Sequence, residues 1–287
     1  SSGRRLSTVG GKSEAYLPQL SHDGRRALVL LGDPNSDIWV YELERGVRTR
    51  LTTAARVQES PLWSPDDAEI LYSSQRLTGE SIDFALTTLA SDGAGEKRVV
   101  YRSKERIEPT DWSRDGRYLI VDRGEIGTED VWVVPLSEGE KAFPLVQTQF
   151  SERGGQFSPD GRWVAYQSLQ ANRNEIYVTP FPQGGGRWQI SAEGGTQPRW
   201  SPDGRELYFV SAADDLMAAA VDGSGNRFLV KDVKPLFRVN LFHGPRVGLH
   251  SYAVSPDGKR FLINDAGEAS VARVALVTNW TAELSKK

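Results

Sequence analysis

"WSPDGRELYFVS" occupies residues 200–211, and "FSPDGRWVAYQS" occupies residues 157–168. Both join an aromatic residue to Ser-Pro-Asp-Gly and then to an alternating apolar run. Pro presets φ at the first central position of a turn, and Asp and Ser hydrogen-bond the turn's own backbone. Gly takes the positive φ that a tight hairpin loop requires. Each stretch therefore predicts a strand end, a tight turn and a second strand.

The phrase recurs along the whole chain. Ser21, Ser64, Ser113, Ser158, Ser201 and Ser255 each open a copy, and successive copies lie 43, 49, 45, 43 and 54 residues apart. Spacing in this range is that of a repeat built from four-stranded propeller blades. An apolar anchor precedes each copy: Leu20, Trp63, Trp112, Phe157, Trp200 and Val254. A third strand opens on an acid in five copies, at Asp37, Asp83, Asp130, Glu175 and Asp215, and stretches such as "RTRLTT" and "KRVVYR" supply a fourth. Four antiparallel strands per unit, six units and almost no helix predict an all-β, six-bladed β-propeller.

Residues 1–287 are read as one propeller domain, with 281–287 as a tail. The last unit ends on "SVARVALVTNW" and lacks a fourth strand, whereas "RRLST" at residues 4–8 reads like one. The N-terminal strand is therefore expected to complete the last blade and remove an exposed edge. Asp67 stands where the other five copies have Gly. Asp tolerates positive φ better than most residues, so Asp67→Gly is expected to be neutral or stabilising.

Composition narrows the function. A formal charge of −3 with both signs interspersed gives no footprint for nucleic acid. The absence of Cys excludes disulfides and thiol chemistry. With only His22, His243 and His250, imidazole metal chemistry has little to draw on. No apolar run reaches the length of a membrane span, so no direct membrane insertion is expected. No "GxSxG" elbow, "HRD" or "DFG" occurs. The chain is accordingly read as not an enzyme, with no catalytic residue, no cofactor and no metal.

The "W-S-P-D-G-R" phrase followed by "D-[IL]-[YW]-V" is similar to the TolB-like, WD-repeat-like propellers of bacteria, over practically the whole chain. The ending "ALVTNWTAELSKK" resembles the C-terminus of large bacterial receptor-type serine/threonine kinases. In those, a kinase, one membrane span and a C-terminal propeller follow in order. The resemblance implies an extracytoplasmic sensor domain, tethered by a span upstream, that recognises a peptide, a protein or a small polar ligand. A stand-alone periplasmic scaffold similar to TolB is the alternative, and a hydrolase or lyase with a metal in the channel comes third.

Features repeated in every blade are scaffold: the turn Asp residues cap their own hairpins, and the Trp residues pack between blades. Function is expected where the blades differ, around the central channel. Four residues before each anchor stand Tyr16, Glu59, Glu108, Arg153, Thr196 and His250, and one residue before lie Asp111, Gln156 and Arg199. The first set is the expected ligand-binding rim and the second a further group of channel candidates. The mixed charges of Glu59, Glu108, Arg153 and His250 suit a zwitterionic or peptide-like partner, with His250 expected to titrate near neutral pH.

Overall fold

The computed structural model describes residues 4–9, 15–31, 37–53, 58–78, 81–225, 227–241, 250–266 and 273–278, of which 4–9, 15–16, 58–59, 77–78, 81 and 273–278 are described by their backbone alone. Among these residues every regular element is a strand, and the strands form six four-stranded antiparallel sheets. Each sheet is a meander in chain order, as in Ser151–Phe157, Trp163–Gln170, Arg173–Pro180 and Trp188–Gln189. The sheet of Tyr252–Val254, Arg260–Asp265 and Arg273–Thr278 takes its fourth strand from Arg4–Val9, with Arg4 opposite Thr278 and Val9 opposite Val274. The inner strands neighbour one another in chain order, and the first, Ala15–Leu20, also packs on the last, Tyr252–Val254. The protein is an all-β propeller of four-stranded antiparallel blades.

Burial explains the composition of the strands. In Arg26–Leu31, Leu28 and Leu30 pack with Trp63, Ile70 and Tyr72 of the following blade. Ala27, Val29 and Leu31 pack with Ala253 and Leu262 of the preceding one. Successive side chains point to opposite faces, so a strand with a blade on each side must be apolar throughout. Comparable clusters lie between the other neighbouring blades, as where Trp163 and Ile176 meet Trp200 and Phe209. The Trp residues expected between blades do pack there.

The turns hold themselves. The Ser201 hydroxyl donates to Asp203 Oδ1 (2.7 Å), the Arg205 N–H donates to the same oxygen (3.1 Å), and the Glu206 N–H donates to Ser201 Oγ (2.9 Å). The Ser-to-Asp bond recurs in the other five copies. Burial pushes the Asp203 carboxyl up, but the Ser201 hydroxyl, the Arg205 N–H and the Arg205 charge outweigh it and hold it below the usual range. These carboxylates are occupied by their own turns.

Turns of adjacent blades also touch. A Cβ on Gly24 would lie 3.0 Å from Pro256, and one on Gly204 3.4 Å from Pro159. In the second copy Asp67 takes φ of 58°, and its carboxylate accepts the backbone N–H groups of His22 (2.9 Å) and Asp23 (3.0 Å). The His22 ring Nδ1 lies 2.8 Å from Asp67 Oδ1. His22 stands where four other copies have Pro. A polar pair thus replaces the glycine-on-proline contact between the first two blades. The expectation that Asp67→Gly is neutral or stabilising is corrected: the substitution removes the acceptor of three inter-blade contacts.

Candidate functional site

Each inner strand runs down the channel toward its Ser-x-Asp turn, and most of them bulge on the way. The residue that follows the expected rim position has positive φ at Leu17 (56°), Ser60 (51°), Gly154 (69°) and Gln197 (60°). The pairing register shifts at the same places. Neighbouring blades hold two of these bulges: the Gly154 N–H donates to both Asp122 oxygens (2.9 and 3.1 Å), and the Gln197 N–H donates to Gln167 Oε1 (2.9 Å). A bulge re-aims the side chains beside it.

The expected rim is consequently not one binding surface. Glu108 is buried, paired with Arg106, and opposite Asp122 across the sheet. Arg153 leans toward Glu129, with Nη1 4.0 Å from its Oε1. Thr196 is half-buried, in register with Val210. His250 is buried, and burial, then the Arg199 charge, hold its imidazole well below the ordinary value, although a hydrogen bond with the Pro198 backbone works the other way. The expectation that His250 titrates near neutral pH is corrected. The side chains of Tyr16 and Glu59 lie outside the described residues.

The second group does come together. Where the inner strands reach their turns, a cavity of about 640 Å³ opens on the turn face of the channel. Its floor takes one residue from each inner strand: Gln19, Leu62, Asp111, Gln156, Arg199 and Ala253. Its walls include the anchors Trp63, Trp112, Phe157 and Trp200. The Gln156 amide donates to the carbonyls of Thr110 (2.5 Å) and Gly155 (3.0 Å), and its Oε1 accepts from Arg199 Nη1 (2.6 Å). Asp111 Oδ2 accepts from the Phe157 N–H (2.7 Å). Three blades are tied together by these bonds.

The charges on the floor are strained by burial. Burial pushes the Asp111 carboxyl up to about 6 against the pull of the Phe157 N–H and the Arg199 charge. Burial lowers the Arg199 guanidinium to about 10. Among the described residues nothing accepts from Arg199 Nε or Nη2. No group of three or more His, Asp or Glu side chains among them is placed to hold a metal ion. The floor therefore holds a cation with buried, unpartnered donors, a separate carboxylate and apolar walls, an arrangement suited to binding a polar chain with apolar side groups. The signal in the sequence was chemical variety one residue before each anchor, where the repeat otherwise varies little.

No family model matches the chain. An uncharacterized protein of Agrobacterium fabrum is 26% identical over 203 residues, 67% of this chain and 65% of that one. The uncharacterized peptidase YuxL of Bacillus subtilis is 28% identical over 159 residues, 54% of this chain and 22% of that one. The Tol-Pal system protein TolB of Anaeromyxobacter dehalogenans is 30% identical over 102 residues, 36% of this chain and 23% of that one. The chain thus spans less than two thirds of the length of each of these relatives. Among solved structures, a putative TolB from Agrobacterium tumefaciens matches with a TM-score of 0.64 at 23% identity, over 93% of this chain and 90% of that chain. TolB from Acinetobacter baumannii matches with a TM-score of 0.63 at 16% identity, over 90% and 65% of the two chains.

The fold is TolB-like. An oligogalacturonate lyase in complex with manganese has a similar fold, with a TM-score of 0.58 at 13% identity over 97% of this chain and 98% of that chain. The TolB-like chain is thus similar to proteins named as a peptidase and as a lyase as well as to TolB. These names correct the expectation that it is not an enzyme. None of the relatives above is named a kinase, and residues 279–287 of the kinase-like ending lie outside the described residues.

Proposed function

We propose that this chain is a protein-interaction propeller of the TolB-like kind, which receives a segment of a partner protein in the turn-face cavity. One observation carries the reading: the cavity floor is the place where the otherwise repeated blades contribute chemically varied side chains, Gln, Leu, Asp, Gln, Arg and Ala in turn. Its volume falls within the usual range of ligand sites, roughly 300–1,000 Å³. The similarity to a Tol-Pal system protein supports a protein partner. The resemblance to bacterial TolB-like propellers supports a place outside the cytoplasm. Among the described residues no helix is long and apolar enough to cross a membrane.

The test is site-specific photocrosslinking in living bacteria that carry the gene. A photoreactive residue replaces His22, on the cavity wall, or Ile126, exposed on a loop elsewhere. A defined protein adduct at position 22, absent at position 126, is expected. Adducts at both positions alike, or at neither, would remove the cavity from the reading. Cleavage of the adduct partner by the purified wild-type chain would place the protein with its peptidase relative instead.

A further inference from the structure

Resting on the reading of the cavity as a partner-binding site, we infer that its floor recognises a free C-terminal carboxylate, with Arg199 as the receiving cation and Asp111 as acceptor for the terminal N–H. Arg199 is held in one pose. Its Nη1 is engaged by Gln156 Oε1 at 2.6 Å, and Gln156 is itself fixed by the carbonyls of Thr110 and Gly155. What remains is Nε and Nη2, the parallel N–H pair along one edge of the guanidinium, and neither has a partner among the described residues. That edge matches the two oxygens of a carboxylate bidentately.

An unmet buried donor is costly, and more so when it is charged. With 8% of its surface exposed, Arg199 has little access to water to meet that demand. An arriving anion satisfies both donors and restores the charge that burial penalises. The nearest acid does not do this. Asp111 lines the same cavity, near enough for its charge to act on Arg199, and has one oxygen engaged by the Phe157 N–H, which leaves it a further acceptor on the floor. An anion receiver and an N–H acceptor on one floor are the complement of a chain end, where an α-carboxylate adjoins its own amide N–H. The indole and phenyl walls of Trp63, Trp112, Phe157 and Trp200 suit an apolar last residue.

The probes are two random hexapeptide libraries, identical except that one ends in a carboxylate and the other in a C-terminal amide. Each is presented to the full chain, and bound peptides are assayed for competition with the position-22 crosslink. Peptides from the carboxylate library are expected to bind and compete, and to lose at least tenfold in affinity when resynthesised as amides. Arg199→Gln should bring the free acid down to the amide's affinity. The amide comparison needs no protein variant, so it decides even if Arg199→Gln fails to fold. Binding that survives amidation overturns the chain-end inference while leaving the cavity a partner site. Failure of both libraries to compete, with the crosslink present, overturns the inference. Loss of the crosslink itself overturns both readings.

Discussion

Asp67 looks like a defect in a repeated phrase and proves to be one half of a matched pair. Its carboxylate accepts two backbone N–H groups and faces the ring of His22, the residue that stands in the proline position of the neighbouring turn. At three other junctions the same place is a glycine lying on a proline: Gly24 on Pro256, Gly204 on Pro159 and Gly258 on Pro202. The two departures from the phrase therefore compensate each other across a blade boundary. Asp67→Gly should cost roughly 1–3 kcal/mol, because it leaves the His22 and Asp23 N–H groups without their acceptor. His22→Pro combined with Asp67→Gly rebuilds the contact used elsewhere and should recover much of that loss. Urea unfolding of the wild type, both single variants and the double variant measures the coupling. Losses that simply add would show that the pair is not a unit.

At the scale of the strand, the inner-strand bulges decide where side chains go, and they were the least legible feature. The hairpins could be read because turn chemistry is local: Ser, Asp and Gly at fixed spacing carry their own hydrogen bonds. A bulge at Leu17, Ser60 or Gln197 puts a non-glycine residue at positive φ, and only Gly154 marked the position in the sequence. Hence Glu108 and His250, which the spacing places on an open rim, are buried, while Asp111, Gln156 and Arg199, the further group of channel candidates, line the cavity. The bulge at Gly154 also sets up a pH dependence. Burial pushes the Asp122 carboxyl up to about 7, although the Gly154 N–H and the Arg153 charge pull it down. Unfolded, it ionises near 3.8, the ordinary value of an aspartate. Between those values the folded state keeps a proton that the unfolded state has lost, so stability falls as pH rises through the window and levels off above it. The slope is at most about 1.4 kcal/mol per pH unit. Asp122→Asn keeps an acceptor for the Gly154 N–H and has no carboxyl to ionise. Its stability should drop less than that of the wild type between pH 5 and pH 8. Parallel curves from thermal unfolding across that range would mean that Asp122 does not titrate there.

For the whole molecule, the ring is only as sound as its last junction. Every blade needs a neighbour on each face, since its second strand is apolar on both, as Arg26–Leu31 shows. Three features meet where the first blade joins the last: the cluster of Ala27, Val29 and Leu31 with Ala253 and Leu262, the approach of Gly24 to Pro256, and the strand Arg4–Val9 paired to Arg273–Thr278. The strand is the part that can be removed from the chain's end as a unit. Deleting residues 1–9 leaves the backbone groups of Arg273–Thr278 without their partner and creates an edge that other chains can pair with. The truncated chain should melt lower than the full chain and aggregate at concentrations where the full chain stays in solution. Because the missing element is a strand held by main-chain bonds, a synthetic peptide of residues 1–9 should bind the open edge and raise the melting temperature again. A scrambled peptide of the same composition sets the baseline, since it keeps the charge and loses the register of Arg4 on Thr278. Equal melting of truncated and full chains would show that the cluster and the turn contact close the ring without the strand. Equal rescue by the scrambled peptide would show that the edge is covered without regard to sequence.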